Sequence, residues 1–355
     1  MKRFFNKPAA GRVRRIVRLA RGDDPMAIAR EAAKLGGADM DGLDAPTAPG
    51  APRFRGGARP GAQVRPGPGA KARAKRRGGA PDLPAGARWE WREHAGPHGA
   101  RRFRLYVPSA APSGARPLVL MLHGCTQDAD DFARGTRMGA LAERHGLLLA
   151  FPEQPREANP MGCWNWFEPA HQQRGGEPGI LAGIVDQVAR EEAVDASRVF
   201  AAGLSAGGAM AATLAATHPG TFAAVCVHSG LPHGAAGDAA SAFAVMRRGA
   251  VPAVRRRTDG PRLLVLHGAA DTTVAPANAD ALLAGMAGER RRRVENGAEV
   301  ATVHATDGAT RAESWRIPGL GHAWSGGDPR GSYAEAAGPD ASAEMVRFFL
   351  EAGAR

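Results

Sequence analysis

From residue 87 onward the chain alternates short apolar runs with stretches of helical periodicity. Pro117–Leu122 and Leu147–Phe151 are continuous apolar runs, the pattern of strands buried on both faces. Arg198–Ala202, Ala223–Val227, Arg262–Leu266 and Ala312–Ile317 read as further strands. Helical spacing falls on Asp130–His145, Gly179–Glu192, Ala206–His218 and Ala277–Ala287, and an amphipathic helix closes the chain near Ala341–Ala352. Pro219-Gly220 stops the third of these, since proline lacks the N–H and glycine tolerates the left-handed end. Ahead of this alternation, Ala87–His94 and Arg101–Val107 read as a β-hairpin joined through Gly96-Pro97-His98-Gly99. Residues 231–260 show no period and are read as irregular and arginine-rich.

Strands alternating with helices predict an α/β fold. Its central sheet is mostly parallel, with helices on both faces and an N-terminal antiparallel hairpin. Ligands of such sheets bind at the carboxyl ends of the strands.

The first 86 residues have a different character. Plausible basic helices lie at Val13–Leu19 and Pro25–Leu35. Residues 47–86 are rich in Pro, Gly, Ala and Arg, too poor in apolar surface to offset chain entropy, and are read as disordered. The domain expectation is therefore a basic leader over 1–86 and a catalytic domain over 87–355. The formal charge of +12 looks at first like that of a nucleic-acid binder. Residues 1–80 carry +13 and the remainder −1, so the basicity belongs to the leader. Without interleaved aromatics for base stacking, it reads as a solvated tail rather than a nucleic-acid site. No apolar run reaches a membrane span of about 18 residues. Arginines interrupt the only segment resembling a signal sequence.

The chemistry gathers at strand ends. Gly203-Leu204-Ser205-Ala206-Gly207 follows a strand and opens a helix, the setting in which a serine is held out on a sharp turn. Gly203 and Gly207 leave that turn its room. A serine hydroxyl needs a base, and the base an orienting acid, in the chain order serine, acid, histidine. Asp271 follows the Arg262–Leu266 strand, and His322 lies in a glycine-rich loop after the last strand. His123, His228 and His267 also end strands and read as loop braces. Asp280, Asp307 and Asp328 fit a helix or turns. Oxyanion donors are expected from the backbone N–H groups of Ala206 and Cys125. Three cysteines, Cys125, Cys163 and Cys226, leave open one disulfide with one thiol, or three thiols. No C-x-x-C spacing suggests zinc, and the proposed chemistry calls for no metal or organic cofactor.

Six ordered segments then acquire a common meaning. They are Leu122-His-Gly-Cys-Thr-Gln127, Phe151-Pro-Glu-Gln154, Cys163-Trp-Asn-Trp-Phe167, Gly203–Gly208, His267-Gly-x-x-Asp271-Thr-Thr-Val and Gly321-His-Ala-Trp-Ser-Gly326. Together they resemble the polyhydroxybutyrate depolymerase family of esterases over roughly residues 87–350. The resemblance implies an α/β-hydrolase fold, a serine esterase acting on short-chain polyhydroxyalkanoates or related esters, and Ser205, Asp271 and His322 as triad. Such enzymes are often secreted, so an extracellular location stands beside a cytoplasmic one.

Trp164, Trp166 and Trp324 are candidates for an apolar substrate groove, with core packing as the alternative. A Cys125–Cys163 bridge would pin the tryptophan loop beside the oxyanion loop. The expected partner is an ester substrate, a polyester chain or granule surface among the options. The alternatives are a feruloyl or acetyl esterase on small or sugar-linked esters, and a polyanion-binding protein working through its leader.

Overall fold

The computed structural model describes residues 83–109, 114–251, 260–284, 286–305 and 307–351. The chain divides between Arg77 and Gly78, and every described residue belongs to the second unit. The expected helices at Val13–Leu19 and Pro25–Leu35 lie outside the described residues, as does the expected disorder up to residue 82.

Ten strands form one sheet: β1 (Arg88–Gly96), β2 (Gly99–Val107), β3 (Arg116–Leu122), β4 (Leu148–Pro152), β5 (Val194–Leu204), β6 (Ala224–His228), β7 (Arg262–Gly268), β8 (Glu289–Glu295), β9 (Ala298–His304) and β10 (Thr310–Ile317). Their spatial order is β1-β2-β4-β3-β5-β6-β7-β10-β9-β8. Pairing is parallel from β4 through β10, with an antiparallel hairpin at each edge. A β11 (Trp324–Ser325) and β12 (Ala334–Glu335) pair stands apart.

Alternation along β3 divides the core between two faces. Leu118, Leu120 and Leu122 pack with α3 (Gly176–Glu191) and α4 (Ala206–Thr217) through Leu181, Ile184, Met210 and Leu214. Val119 and Met121 face the other way. There they join α1 (Ala129–Thr136), α2 (Met138–His145) and the closing helix through Phe132, Leu141 and Phe349. Each such aliphatic side chain, wholly withdrawn from water, contributes about 1.5–3 kcal/mol. That two-sided burial explains why β3 and β4 read as unbroken apolar runs.

Three expectations are corrected. The helix expected over Asp130–His145 is two helices, because Arg137 takes the left-handed conformation (φ 55°) and its N–H turns back to Arg134 O. Residues 231–260 are not irregular throughout: α5 (Ala239–Arg248) starts from a reciprocal cap in which the Asp238 carboxylate receives the Ser241 N–H. The helix after β7, α6 (Ala277–Leu283), stops early, and the β8–β9 hairpin follows it. The hairpin turns at Asn296-Gly297, both at positive φ as a two-residue hairpin loop requires. β8 is an edge strand exposed on both faces. The last helix, α7 (Ala341–Leu350), is capped by Asp340.

Candidate active site

The ends of β3, β5, β6 and β7 converge around Ser205. The serine sits between β5 and α4 at φ 57°, ψ −118°, a strained conformation for a residue with a side chain. Two features hold it there. Its N–H donates to His228 O at the end of β6 (2.9 Å), and Ser205 O receives Ala209 N–H as α4 begins (2.9 Å). The flanking glycines are steric necessities: a Cβ on Gly203 would fall 2.3 Å from the Gly207 carbonyl carbon. One on Gly207 would fall 2.1 Å from Leu122 O. The end of β3 thus lies directly against the Ser205 turn.

The loop leaving β3 is fixed atom by atom. Gly124 N–H donates to Gln127 Oε1 (2.9 Å). His123 donates from Nδ1 to Gly124 O (2.8 Å) and accepts Gln154 N–H at Nε2 (3.1 Å). Burial lowers the His123 pKa, which keeps the imidazole neutral and fits this one-donor, one-acceptor role. A disulfide joins Cys125 to Cys163, with Cα atoms 4.3 Å apart. Cys226 is the buried free thiol. Among the described residues, neither the Cys125 N–H nor the Ala206 N–H has a hydrogen-bond partner. Two unengaged donors thus stand beside the serine, one of them at the positive end of α4.

Asp271 and His322 meet across β7 and β10. Asp271 Oδ1 accepts the N–H groups of Thr273 (2.9 Å) and Val274 (2.8 Å). Its Oδ2 accepts His322 Nδ1–H at 2.7 Å, with His267 Nε2 3.5 Å away. Burial alone would raise the Asp271 pKa, but the donors from His267, His322 and Val274 outweigh it and hold the carboxyl well below the usual carboxylate range. With Nδ1 committed to the carboxylate, Nε2 is the His322 ring nitrogen left without a partner among the described residues. The loop carrying His322 lies so close to β7 that a Cβ on Gly268 would fall 2.2 Å from Leu320 O. Ala270 N–H donates to Leu320 O, lacing the acid and base loops together. Asp271 and His322 are hydrogen-bonded to each other; Ser205 Oγ has no hydrogen-bond partner among the described residues.

His228, read from sequence as a brace, is one in three ways. Its carbonyl receives Ser205 N–H, its Nε2 receives Ser325 N–H (3.3 Å), and its ring stacks on Trp324 at 5.0 Å. Burial, with His267 and His322 nearby, pulls its pKa down to about 3, so it stays uncharged.

Of the two readings left open for the tryptophans, groove or core, their burial favours the core. Trp164 is fully buried, its indole N–H donating to His123 O (3.1 Å). Trp324 is buried between Phe132 and His228, its N–H donating to Ser342 Oγ. Both hold the backbone that carries the site, and neither offers a face to a ligand. Trp166 is 5 % exposed and packs edge-on against Phe167. Sequence reasoning missed Glu177 and Gln127. Glu177 is wholly buried and accepts both the Asn165 N–H (2.8 Å) and the Asn165 amide (3.0 Å), anchoring the tryptophan loop. Gln127 spans from Gly124 N–H to Ser332 O (2.8 Å). A carboxylate at the start of a helix gave no chemical signal for the first, and only tertiary contact reveals the second. Among the described residues no group of three or more His, Cys, Asp or Glu side chains converges as a metal set. Among the described residues, no helix is long and apolar enough to cross a membrane.

Comparison with known proteins adds a lineage to this geometry. The family model described as Esterase PHB depolymerase matches residues 101–314. Poly(3-hydroxyalkanoate) depolymerase C of Paucimonas lemoignei is 38% identical over 186 residues, covering 49% of this chain and 44% of the relative. Feruloyl esterase B of Neurospora crassa is 32% identical over 198 residues, covering 49% and 65%. The probable acetylxylan esterase A of Aspergillus clavatus is 28% identical, covering 61% and 78%. The chain thus spans less than two thirds of the length of the first two. The solved acetyl xylan esterase of Aspergillus awamori superposes with a TM-score of 0.56 at 23% identity. It covers 66% of this chain and 94% of that one, and shares the α/β-hydrolase fold.

Proposed function

The chain belongs to the Esterase PHB depolymerase family, and on that premise we propose that it is a serine esterase hydrolysing carboxylic esters. Two observations support this reading: the His322–Asp271 hydrogen bond, and a strained Ser205 flanked by two unengaged backbone donors. Ser205 Oγ attacks the ester carbonyl carbon, and His322 Nε2 takes its proton. The carbonyl oxygen becomes an oxyanion received by the Ala206 and Cys125 N–H groups. Collapse expels the alcohol, which leaves with the proton from His322. Water, deprotonated by the same histidine, then attacks the acyl-enzyme and releases the acid. Asp271 stays ionised throughout and holds the imidazole.

The favoured substrate class is poly(3-hydroxybutyrate) or short-chain hydroxyalkanoate oligomers, supported by the depolymerase relative. A feruloyl- or acetyl-type activity is the second reading, supported by relatives that carry those names. The catalytic unit is proposed as residues 87–355, with 1–86 a basic leader. The Cys125–Cys163 bond supports work in an oxidising, extracellular compartment.

The test is hydrolysis of p-nitrophenyl butyrate, a hydroxybutyrate oligomer and a feruloyl ester by wild type and Ser205→Ala. Loss of all activity in the variant is expected, with the oligomer the fastest of the natural esters. A variant that keeps the wild-type rate overturns the mechanism, and preference for the feruloyl ester overturns the substrate class.

A further inference from the structure

Beside the acid–base pair lies a structure that the triad chemistry leaves unused. Tyr333 stands edge-on to His322, with ring centroids 6.3 Å apart at 76°. Its hydroxyl lies 3.3 Å from Thr126 Oγ1, the residue after Cys125. The two side chains therefore connect the base loop to the oxyanion loop. Thr126 is exposed and Tyr333 half-buried, so their hydroxyls meet at the surface rather than in the core.

The arrangement is built in. Thr126 and Tyr333 both lie at positive φ, 68° and 51°. For a β-branched threonine that costs on the order of 1 kcal/mol or more, so the surrounding fold must impose it. The means are visible on both sides. Thr126 N–H donates to Met161 O (2.8 Å), and its neighbour Cys125 is disulfide-bonded. Tyr333 O accepts Trp324 N–H (2.8 Å), and Ser332 is held by Asp131 through N–H (2.9 Å) and hydroxyl. Gln127 ties the two halves, taking Gly124 N–H with its oxygen and giving its amide to Ser332 O.

At 3.3 Å the hydroxyl pair is well beyond the usual O–H···O separation of about 2.7–2.8 Å, and each oxygen retains hydrogen-bonding capacity for another partner. Its place decides which part of a substrate it meets. On the serine esterase reading the ester carbonyl oxygen is received by Cys125 and Ala206, and the departing oxygen must face His322 to receive its proton. The alcohol half therefore leaves past Tyr333.

We propose that Tyr333 and Thr126 form a specificity pair that binds the alcohol half of the ester. It favours alcohols bearing their own oxygen function, as a hydroxyacid unit does, over plain alkyl alcohols. This rests on the serine esterase reading above. The preference is set by hydrogen bonds to the leaving half, not by the acyl pocket.

The experiment compares kcat/KM for release of butyrate from methyl 3-(butyryloxy)butanoate with that from butyl butyrate, two esters sharing one acyl half, in wild type, Tyr333→Phe and Thr126→Val. Tyr333→Phe removes the hydroxyl and Thr126→Val exchanges it for a methyl group, and both keep the shape of the side chain. Each is expected to lower the ratio of the two kcat/KM values by about three- to tenfold, the worth of one hydrogen bond. A ratio within 1.5-fold of wild type in both variants, with melting temperatures unchanged, overturns the proposal while leaving the triad intact. Ser205→Ala in the same assay separates the two readings, since retained hydrolysis there would remove the serine mechanism itself.

Discussion

Adding one methyl group at Gly207 tests how the Ser205 turn and the loop leaving β3, proposed as nucleophile turn and oxyanion loop, are fitted together. An alanine Cβ there would stand 2.1 Å from Leu122 O and 2.6 Å from His123 O. Ordinary carbon–oxygen contact begins at about 3.3 Å, so α4 and the loop leaving β3 must separate by roughly 1 Å. Both oxygens belong to the main chain, and no side-chain rotation can relieve the clash. Overpacking of this kind costs about 1–3 kcal/mol, which a domain of this size survives. Catalysis should suffer far more, because the two elements driven apart carry the Ala206 and Cys125 N–H groups. Losing one such donor costs about 10²–10³ in kcat. Gly207→Ala should therefore fold, melt lower, and hydrolyse p-nitrophenyl butyrate at least about 100-fold more slowly. Gly208→Ala is the internal control: its Cβ meets Gly203 O at 3.0 Å and His228 O at 3.1 Å, a shortfall of only a few tenths of an ångström. It should lose less than about tenfold, under 1.4 kcal/mol. Steady-state kinetics beside near-UV circular dichroism and urea titration decide the matter. Gly207→Ala within threefold of wild-type kcat, or Gly208→Ala as damaged as Gly207→Ala, would refute the steric argument.

Three further outcomes are expected. His228 titrates near 3 when folded and near 6.5 when unfolded, so the unfolded chain takes up the proton first. Its stability contribution is complete above pH 6.5 and is lost as pH falls toward 3, with a slope approaching about 1.4 kcal/mol per unit. Buried His123, with His218 and His233, pushes the same way. Urea unfolding at pH 7, 6 and 5 should show the decline, and His228→Gln should flatten it. Glu177→Gln replaces an acceptor of four donors, from Asn165 N–H, the Asn165 amide, the Gln154 amide and the Arg101 guanidinium, with a group half of which donates and which carries no charge for Arg101. A loss of about 2–4 kcal/mol in urea unfolding is expected, and a loss under 0.5 kcal/mol would contradict it. Replacing Cys125 and Cys163 together by serine removes a cross-link spanning 38 residues. By chain entropy this should cost about 3–4 kcal/mol, read from the same titration.

The parts of this molecule legible in its sequence are those where burial is two-sided. β3, β4 and the end of β5 read as apolar runs because both faces of the sheet are covered. Their carboxyl ends carried Ser205, and the later β7 carried Asp271 just beyond it. The β8–β9 hairpin escaped for the opposite reason. Glu289–Glu295 is exposed on both faces and shows neither alternation nor an apolar run. The available signal was the Asn296-Gly297 turn. α5 was hidden in the same way, with Ala242 and Val245 its only buried residues and Asp238-x-x-Ser241 its cap. Trp164 and Trp324 misled because an aromatic beside a catalytic motif suits a groove and a core equally. Their indole N–H groups found partners inside, at His123 O and Ser342 Oγ, which only the folded chain reveals.

Among the described residues no strand pairs with the outer side of β8, and that edge has a consequence for how the molecule meets its own copies. An unpaired strand invites a second sheet to continue it. Two copies of β8 aligned antiparallel about a two-fold axis at Arg292 would set Glu289 against Glu295, Arg291 against Arg293, and Arg292 against itself. Each of these oppositions is between like charges, which cross-strand pairing penalises. The run Arg290-Arg291-Arg292-Arg293 thus makes that edge a poor template for self-addition, and the ladder ends where this chain ends it. The protection is electrostatic, with a range of about 10 Å in 0.1 M salt and about 3 Å in 1 M. Concentrated salt is the condition under which edge-to-edge growth would first be released.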